Sequence, residues 1–241
     1  FDICDYVTVM RNGSTITSTS IEGTNSTRII ELMLGEVVAS GRGTKRDLTD
    51  TLFLSVKDLN KNKKVKNASF KLQRGEILGV WGLLGSGRTE LVRSLIGLDG
   101  KPAGSIKIEK NGRLVPISAE KLSHITAFVS EDRRGEGVLL AMSVARNTAL
   151  PNLNKISNFF GWVQQKNFRG LAARVIEGLS IKVSSSEQLV GTLSGGNQQK
   201  IVFGKWLETN PKLLILDEPT RGLDISAKGE ILRLATDLAN S

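Results

Sequence analysis

The spacing of apolar positions changes several times along the chain. Tyr6-Val7-Thr8-Val9-Met10 alternates as a strand does, then meets the hairpin-turn signal Arg11-Asn12-Gly13. No earlier segment offers this strand a partner, so it reads as an orphan. Ser26 is placed to cap a short helix carrying Ile29, Ile30, Leu32 and Met33, with Gly35 as its stop. Residues 36–52 hold Gly, Ser, Thr and charges with little apolar content and read as a linker. Leu54, Val56 and Leu59 predict a strand, Lys61 to Lys66 a polar loop, and Ala68 to Leu72 a second strand. Glu76 to Trp81 is a further apolar strand, and Leu91, Val92, Leu95 and Ile96 return at helical spacing. Ile125 to Val129 and Leu213 to Leu216 are short buried-strand candidates, separated by helices and loops over roughly 140–190. A last helical pattern of Ile231, Leu234, Ala235 and Leu238 is still running at Ser241. Strands alternating with helices predict an α/β domain with a largely parallel core. The start at Phe1 and the unfinished last helix make an excised piece of a longer protein the expectation.

Composition narrows the chemistry. A length of 241 residues is ample for a buried core. The net charge of +9 suggests polyanion binding, but ten bases and three acids between Arg42 and Arg74 carry +7 of it. A broad basic face is therefore not indicated. Cys4 is alone, which excludes an intrachain disulfide or a multi-cysteine metal site. His124 is the single imidazole and reads as a loop histidine beside a strand. The longest strongly apolar stretch, near Ile77 to Leu84, is broken by glycines and far short of the ~20 residues a membrane helix needs. With no signal-peptide pattern, a cytoplasmic or other reducing compartment fits.

Three segments carry candidate chemistry. Gly82-Leu83-Leu84-Gly85-Ser86-Gly87-Arg88-Thr89 fits a phosphate-binding loop between a predicted strand and helix. Its glycines let N–H groups ring a phosphate, and the helix start adds its dipole. Thr89 is placed to reach Mg²⁺. Arg88 stands where such loops usually have Lys; it keeps the charge but exchanges a compact ammonium for a planar fork. A plain glycine-rich strand-to-helix turn is the alternative. Leu213 to Leu216 delivers Asp217 and Glu218 at a strand end, where Asp217 can hold Mg²⁺ and Glu218 can act as general base on water. The plainer reading is an acidic strand end before Pro219. Leu193-Ser194-Gly195-Gly196-Asn197-Gln198-Gln199-Lys200 is a capped helix start whose two glycines leave N–H groups open as a second anion site. Two phosphate-binding helix starts suggest nucleotide shared between two copies; a simple capped helix is the other reading.

Taken in this order, the three segments resemble the ATP-binding domain of ABC transporters over about 53–241. The resemblance implies a P-loop NTPase fold of the ABC ATPase type, with an antiparallel β subdomain and a helical subdomain inserted at about 135–205. Gly82 to Glu90, Ser130-Glu131-Asp132-Arg133-Arg134 and Leu193 to Lys200 are similar to the second ATP-binding half of monosaccharide importers, in the ribose, galactose, xylose and autoinducer-2 group. Residues 1–35 then match the end of the first half, 36–52 the linker, and 53–241 a second half truncated at its C-terminus. The resemblance further implies nucleotide binding at Gly82, Gly85, Ser86, Gly87, Arg88, Thr89 and Glu90. It puts Mg²⁺ at Thr89, Glu131 and Asp217, and makes Glu218 the catalytic base. Ser194, Gly195, Gly196, Asn197 and Gln198 would bind the ATP of the partner domain, and Gly222-Leu223-Asp224 would be the loop that communicates between sites. Glu131 replaces the family's usual glutamine, no adenine-stacking aromatic lies near Asn62 to Val65, and the switch position is expected beyond Ser241.

The implied cofactors are ATP and Mg²⁺. The implied partners are the first ATP-binding half of the same polypeptide, integral membrane permease subunits and, indirectly, a periplasmic or lipoprotein sugar-binding protein. The expected location is the cytoplasmic face of the membrane. The leading expectation is an ATPase that drives monosaccharide import, with a weakened phosphate loop and an intact signature segment. A non-hydrolytic regulatory half is the second reading. A nucleic-acid-linked ABC ATPase is the third, and no nucleic-acid partner is expected, because the bases lack interleaved aromatics.

Overall fold

A computed structural model describes residues 2–11, 13–35, 50–159 and 161–240. Strand β1 (Tyr6–Arg11) is not an orphan: it pairs antiparallel with β2 (Ser14–Ser20). The partner strand has no hydrophobic signal of its own, because Ser14 to Ser20 is almost entirely polar and carries little alternation. Helix α1 (Ser26–Leu34) is capped by Asn25 rather than Ser26, since the Asn25 side chain reaches the Arg28 N–H at 2.9 Å. Gly35 ends it in the left-handed conformation, φ +78°. The expected linker at 36–52 falls, up to residue 49, outside the described residues.

The chain then builds an antiparallel sheet in the order β4-β3-β5-β6, from β3 (Leu52–Lys61), β4 (Val65–Gln73), β5 (Ala103–Lys110) and β6 (Arg113–Pro116). Helix α2 (Arg88–Leu95) lies between β4 and β5 in sequence, and the short α3 (Ala119–Ser123) leads into β7 (Thr126–Val129). His124 caps the end of α3, exposed and two residues before β7. A helical region follows: α4 (Val144–Ala149), α5 (Leu153–Ile156), α6 (Gln165–Gly178) and α7 (Gly195–Leu207). Strand β8 (Leu213–Leu216) and helix α8 (Ile225–Asn240) close the described chain.

The core divides at the β7–β8 pair, which is parallel. Successive side chains on a strand face opposite sides. Leu213 and Ile215 therefore join a cluster with Leu54, Val56, Leu59, Leu95 and Ile106, while Leu214 and Leu216 pack on a second with Val144, Val175, Ile201 and Phe203. One cluster welds the antiparallel sheet to β8; the other welds the helical region to it.

Two expectations are corrected here. The β7–β8 ladder is the single parallel pairing among the described residues, so the sheets are mostly antiparallel. Glu76 to Trp81 is not a buried strand: it has no ladder partner among the described residues, and Trp81 is 95% exposed. A strand needs a neighbour about 4.8 Å away to take its N–H and C=O groups. Here a cavity of about 610 Å³ separates Ile77, Leu78 and Val80 from Leu213 to Leu216.

Candidate functional site

The phosphate loop is shaped by two glycines that tolerate positive φ, Gly85 at +78° and Gly87 at +91°. A β-carbon on Gly87 would meet the Lys64 carbonyl oxygen at 2.8 Å, so the β3–β4 hairpin presses on the loop and only glycine fits. Gly87 caps α2 without a side chain, and the N–H groups of Gly87, Arg88 and Thr89 have no acceptor among the described residues. Open N–H groups and a positive helix end are what a phosphate requires. Gly82, Gly85 and Ser86 complete the loop, closed by a Ser86 N–H to Leu83 carbonyl bond of 3.0 Å. Lys64 pairs with Glu90, and that hydrogen bond holds the Glu90 carboxyl below its usual pKa.

The carboxylates converge on the same loop. Arg88 reaches Glu218 through an ion pair of 3.0 Å, with both side chains partly exposed. Glu218 sits just beyond β8 at φ +47°, a conformation uncommon for a residue with a side chain. That turn, not the strand pleat, aims it at Arg88. Asp217 is 7% exposed, and its Oδ2 has no hydrogen-bond partner. A buried carboxylate oxygen left unpaired is costly unless a cation or donor completes it. Glu131 pairs with Arg221, and both line a cavity of about 660 Å³ with Thr89, Glu90, Arg93 and Glu136.

The Ser-Gly-Gly start of α7 is well defined. Ser194 Oγ accepts from the Asn197 N–H at 3.4 Å and from Asn197 Nδ2 at 2.9 Å, which leaves its own proton to donate. The Gly195 and Gly196 N–H groups have no acceptor among the described residues. Gln198 is buried and donates to the Val190 and Leu193 carbonyls at 3.2 and 3.1 Å, fixing the segment before the helix. In the turn after β8, Gly222 adopts φ +67°, Leu223 is buried, and Asp224 caps α8 by accepting from the Ala227 N–H at 2.8 Å.

A sequence model of the ABC transporter family matches residues 65–221, across all three segments. The chain belongs to the ABC transporter family. It is 39% identical over 240 residues to the ribose import ATP-binding protein RbsA of Bacillus licheniformis. It is 35% identical over 241 residues to the galactose/methyl galactoside import ATP-binding protein MglA of Yersinia pestis. Those alignments take in 100% and 99% of this chain but 48% of each relative, so the chain spans about half the length of the curated relatives it matches. Among solved structures, a nucleotide-free ATP-binding cassette from an ABC transporter matches with a TM-score of 0.64 at 19% identity, covering 79% of this chain and 78% of that one. The cbiO1 protein of Clostridium perfringens matches with a TM-score of 0.62 at 24% identity, covering 79% and 75%. At these identities the likeness speaks for the fold, the P-loop NTPase fold of ABC ATPases.

Within this ABC cassette, several pairings had no signal in the sequence. Arg93 binds Asp99 at 3.1 Å and Glu136 at 2.9 Å, and Ser130 Oγ donates to Glu136 at 2.6 Å. These bonds tie α2 to the segment after β7. Arg133 sits against Gly195, and burial, with the charge of Arg134, pushes its guanidinium below the usual value. Arg221 was equally hidden, since nothing local marks an arginine as the counter-ion of a residue ninety positions earlier.

Proposed function

We propose that this chain contains most of the second ATP-binding half of a monosaccharide importer, with 1–35 belonging to the first half and 53–241 to the second. The observation that carries the reading is the meeting of the phosphate loop with the strand-end carboxylates: Arg88 contacts Glu218 at 3.0 Å beside the buried, half-unpaired Asp217. The likeness to a ribose import and a galactose/methyl galactoside import ATP-binding protein supports the sugar class.

The mechanism follows from the side chains. The open N–H groups of Gly87, Arg88 and Thr89 and the Arg88 guanidinium bind the phosphates of ATP, in a loop that Gly82, Gly85 and Ser86 complete. Glu218, released from Arg88 when phosphate takes the guanidinium, accepts a proton from the water that attacks the γ-phosphate. The residues fit Mg²⁺, because Asp217 Oδ2 is an orphaned buried acceptor; Thr89, Asp217 and Glu131 would hold the ion, Glu131 after parting from Arg221. Bound Mg²⁺ would neutralise phosphate charge. Ser194, Gly195, Gly196 and Asn197 face the nucleotide of the first half, while Gln198, expected to join them, is turned inward and holds the segment in place; Gly222, Leu223 and Asp224 lie between the two sites. ATP binding closes the halves and hydrolysis reopens them, and permease subunits carry the motion to a sugar delivered by a binding protein. The chain works at the cytoplasmic membrane face; no helix among the described residues is long and apolar enough to cross a membrane.

This half contributes its signature segment to the stronger site and its Arg88 loop to the weaker one. In the full-length protein, Ser194→Arg should lower ATP hydrolysis more than Arg88→Ala does; the reverse order refutes the assignment. The non-hydrolytic alternative is favoured by the Arg88–Glu218 pair, which occupies the base, and Glu218→Gln in this half alone discriminates: unchanged turnover supports it. DNA or RNA binding that weakens steeply with salt would instead favour the nucleic-acid reading.

A further inference from the structure

We propose that Arg133 is a phosphate-binding residue of the signature segment, contacting the nucleoside triphosphate held by the phosphate loop of the other half. The inference rests on the reading of Ser194 to Gln198 given above and adds a residue from a different part of the chain.

The geometry is specific. A β-carbon at position 195 would lie 3.3 and 3.4 Å from the two terminal guanidinium nitrogens of Arg133. The guanidinium therefore fills the space beside the first residue of α7, where the Gly195 and Gly196 N–H groups have no acceptor among the described residues. Arg133 forms no ion pair among the described residues, and its Nε is buried without a partner. By contrast Arg88 and Arg221, the arginines nearest the site's carboxylates, are both paired. A helix N-terminus carries about half a positive charge. Placing an unpaired cation beside it is unfavourable until an anion arrives, and then both sources act on that anion together. The planar fork suits a phosphate, which can take two parallel N–H bonds.

The backbone holds this side chain in place. Residues Arg133–Gly137 form a wide π-type turn after β7, in which Asp132 accepts from the Gly135 N–H at 2.9 Å and Val138 N–H returns to the Arg133 carbonyl at 3.0 Å. Gly137 lets the turn close on α7, since a β-carbon there would stand 3.1 Å from Val202 Cγ2, and the Arg133 stem lies beside it at van der Waals distance. Two residues earlier, Glu131 faces the chain's own phosphate loop through the shared cavity. The segment 131–133 thus presents one residue to each nucleotide of the pair, and a shift of this turn moves both.

The test uses the full-length protein. Arg133→Lys keeps the charge, whereas Arg133→Leu keeps the packing stem. Phosphate binding predicts that Arg133→Leu lowers kcat for ATP by at least about tenfold, while Arg133→Lys, which keeps the charge but not the fork, falls between Leu and wild type. Leu retaining activity while Lys loses it overturns the proposal. Ser194→Arg runs beside them: if it too leaves hydrolysis intact, the reading of the signature segment fails, whereas its loss with an unaffected Arg133→Leu sinks only the present proposal. A measurement on the unmutated protein is independent of folding. Modification of arginines by phenylglyoxal, read by mass spectrometry, should show Arg133 protected by Mg²⁺ and a non-hydrolysable ATP analogue; equal reactivity with and without nucleotide overturns the assignment.

Discussion

The interface between α6 and α7 makes a sharp stability prediction at Gly204. This glycine lies inside α7, where alanine is ordinarily better by about 1 kcal/mol. The packing opposes that gain. A β-carbon at 204 would approach Val175 Cγ1 closer than 3.0 Å, with Leu179 Cδ1 at 3.1 Å and Val175 Cβ at 3.3 Å. Favourable carbon contacts begin near ~3.5 Å, so all three atoms must retreat. Val175 is 3% exposed and β-branched on a helix, so it has one favoured rotamer and nowhere to turn. The helices must part, at a cost of about 1–3 kcal/mol for overpacking. The propensity gain offsets about 1 kcal/mol of this, and the close Val175 contact puts the cost toward its upper end, so Gly204→Ala should destabilise by up to about 2 kcal/mol net. Amide exchange of the α6 and α7 peptides in low urea reads this locally, without requiring two-state unfolding of the whole chain. Adding Val175→Ala should make the double variant more stable than the sum of the two changes predicts, by about 1 kcal/mol. A Gly204→Ala protein with equal or greater protection would refute the packing argument. Since Ser194 is the first-turn cap of this same helix, a parted α6–α7 interface should also lower hydrolysis at the site Ser194 serves.

Further outcomes follow from other contacts. Lys205 is 6% exposed, its ammonium donates to the Gly137 carbonyl, and burial lowers its pKa from 10.5 to about 8. Below pH 8 the folded state carries a buried charge; between about 8 and 10.5 it has shed a proton the unfolded chain still binds, so stability from this group rises with pH by up to roughly 3 kcal/mol. Urea titrations across that range should show the rise in wild type and a flatter curve in Lys205→Met, and parallel curves would contradict it. Asn147 takes the Leu139 N–H at 2.8 Å and donates to the Leu139 and Ser143 carbonyls at 2.9 and 3.1 Å, so Asn147→Leu should cost about 1–3 kcal/mol in denaturation midpoint free energy. Asp217→Asn should abolish the Mg²⁺-dependent part of nucleotide affinity, measured as the loss of any effect of EDTA. Glu218→Gln should raise phosphate-loop affinity for ADP up to about fivefold by freeing Arg88, and should do nothing in an Arg88→Ala background.

How much of this was legible in the sequence depends on how far each determinant reaches along the chain. The start of α7 at Gly195 could be placed, because Ser194 and the two glycines act within three residues. The end of β8 at Leu216 could be placed for the same reason, an apolar run closed by two carboxylates. The cap of α1 could not: Asn25 and Ser26 are both good caps, and only the 2.9 Å bond to the Arg28 N–H chooses between them. The strand reading of Glu76 to Trp81 failed at longer range still. Its composition is that of a buried strand, but a strand exists by its neighbour, and composition says nothing about whether one is there.

The ion pairs of the site define the far limit. Arg88 and Glu218 are 130 positions apart, and Arg221 and Glu131 are 90 apart. Each residue alone has an ordinary exposed-charge explanation, so no pattern in either neighbourhood could pair them. Their pairing nevertheless carries the functional argument. Asp217 and Glu218 line one cavity with Arg88, and Glu131 lines the other with Thr89 and Arg221; negative charge in each costs free energy unless a cation answers it. The answering cations are Arg88 and Arg221. On the proposed reading a polyphosphate with Mg²⁺ would reverse the balance: Asp217 and Glu131 would hold the ion, and Arg88 would turn to the phosphates. The same groups that satisfy one another here would, on the proposed reading, serve a bound nucleotide. Such an exchange would suit Arg in the position where a compact ammonium is usual. A guanidinium has donors enough to bridge a carboxylate and a phosphate in turn.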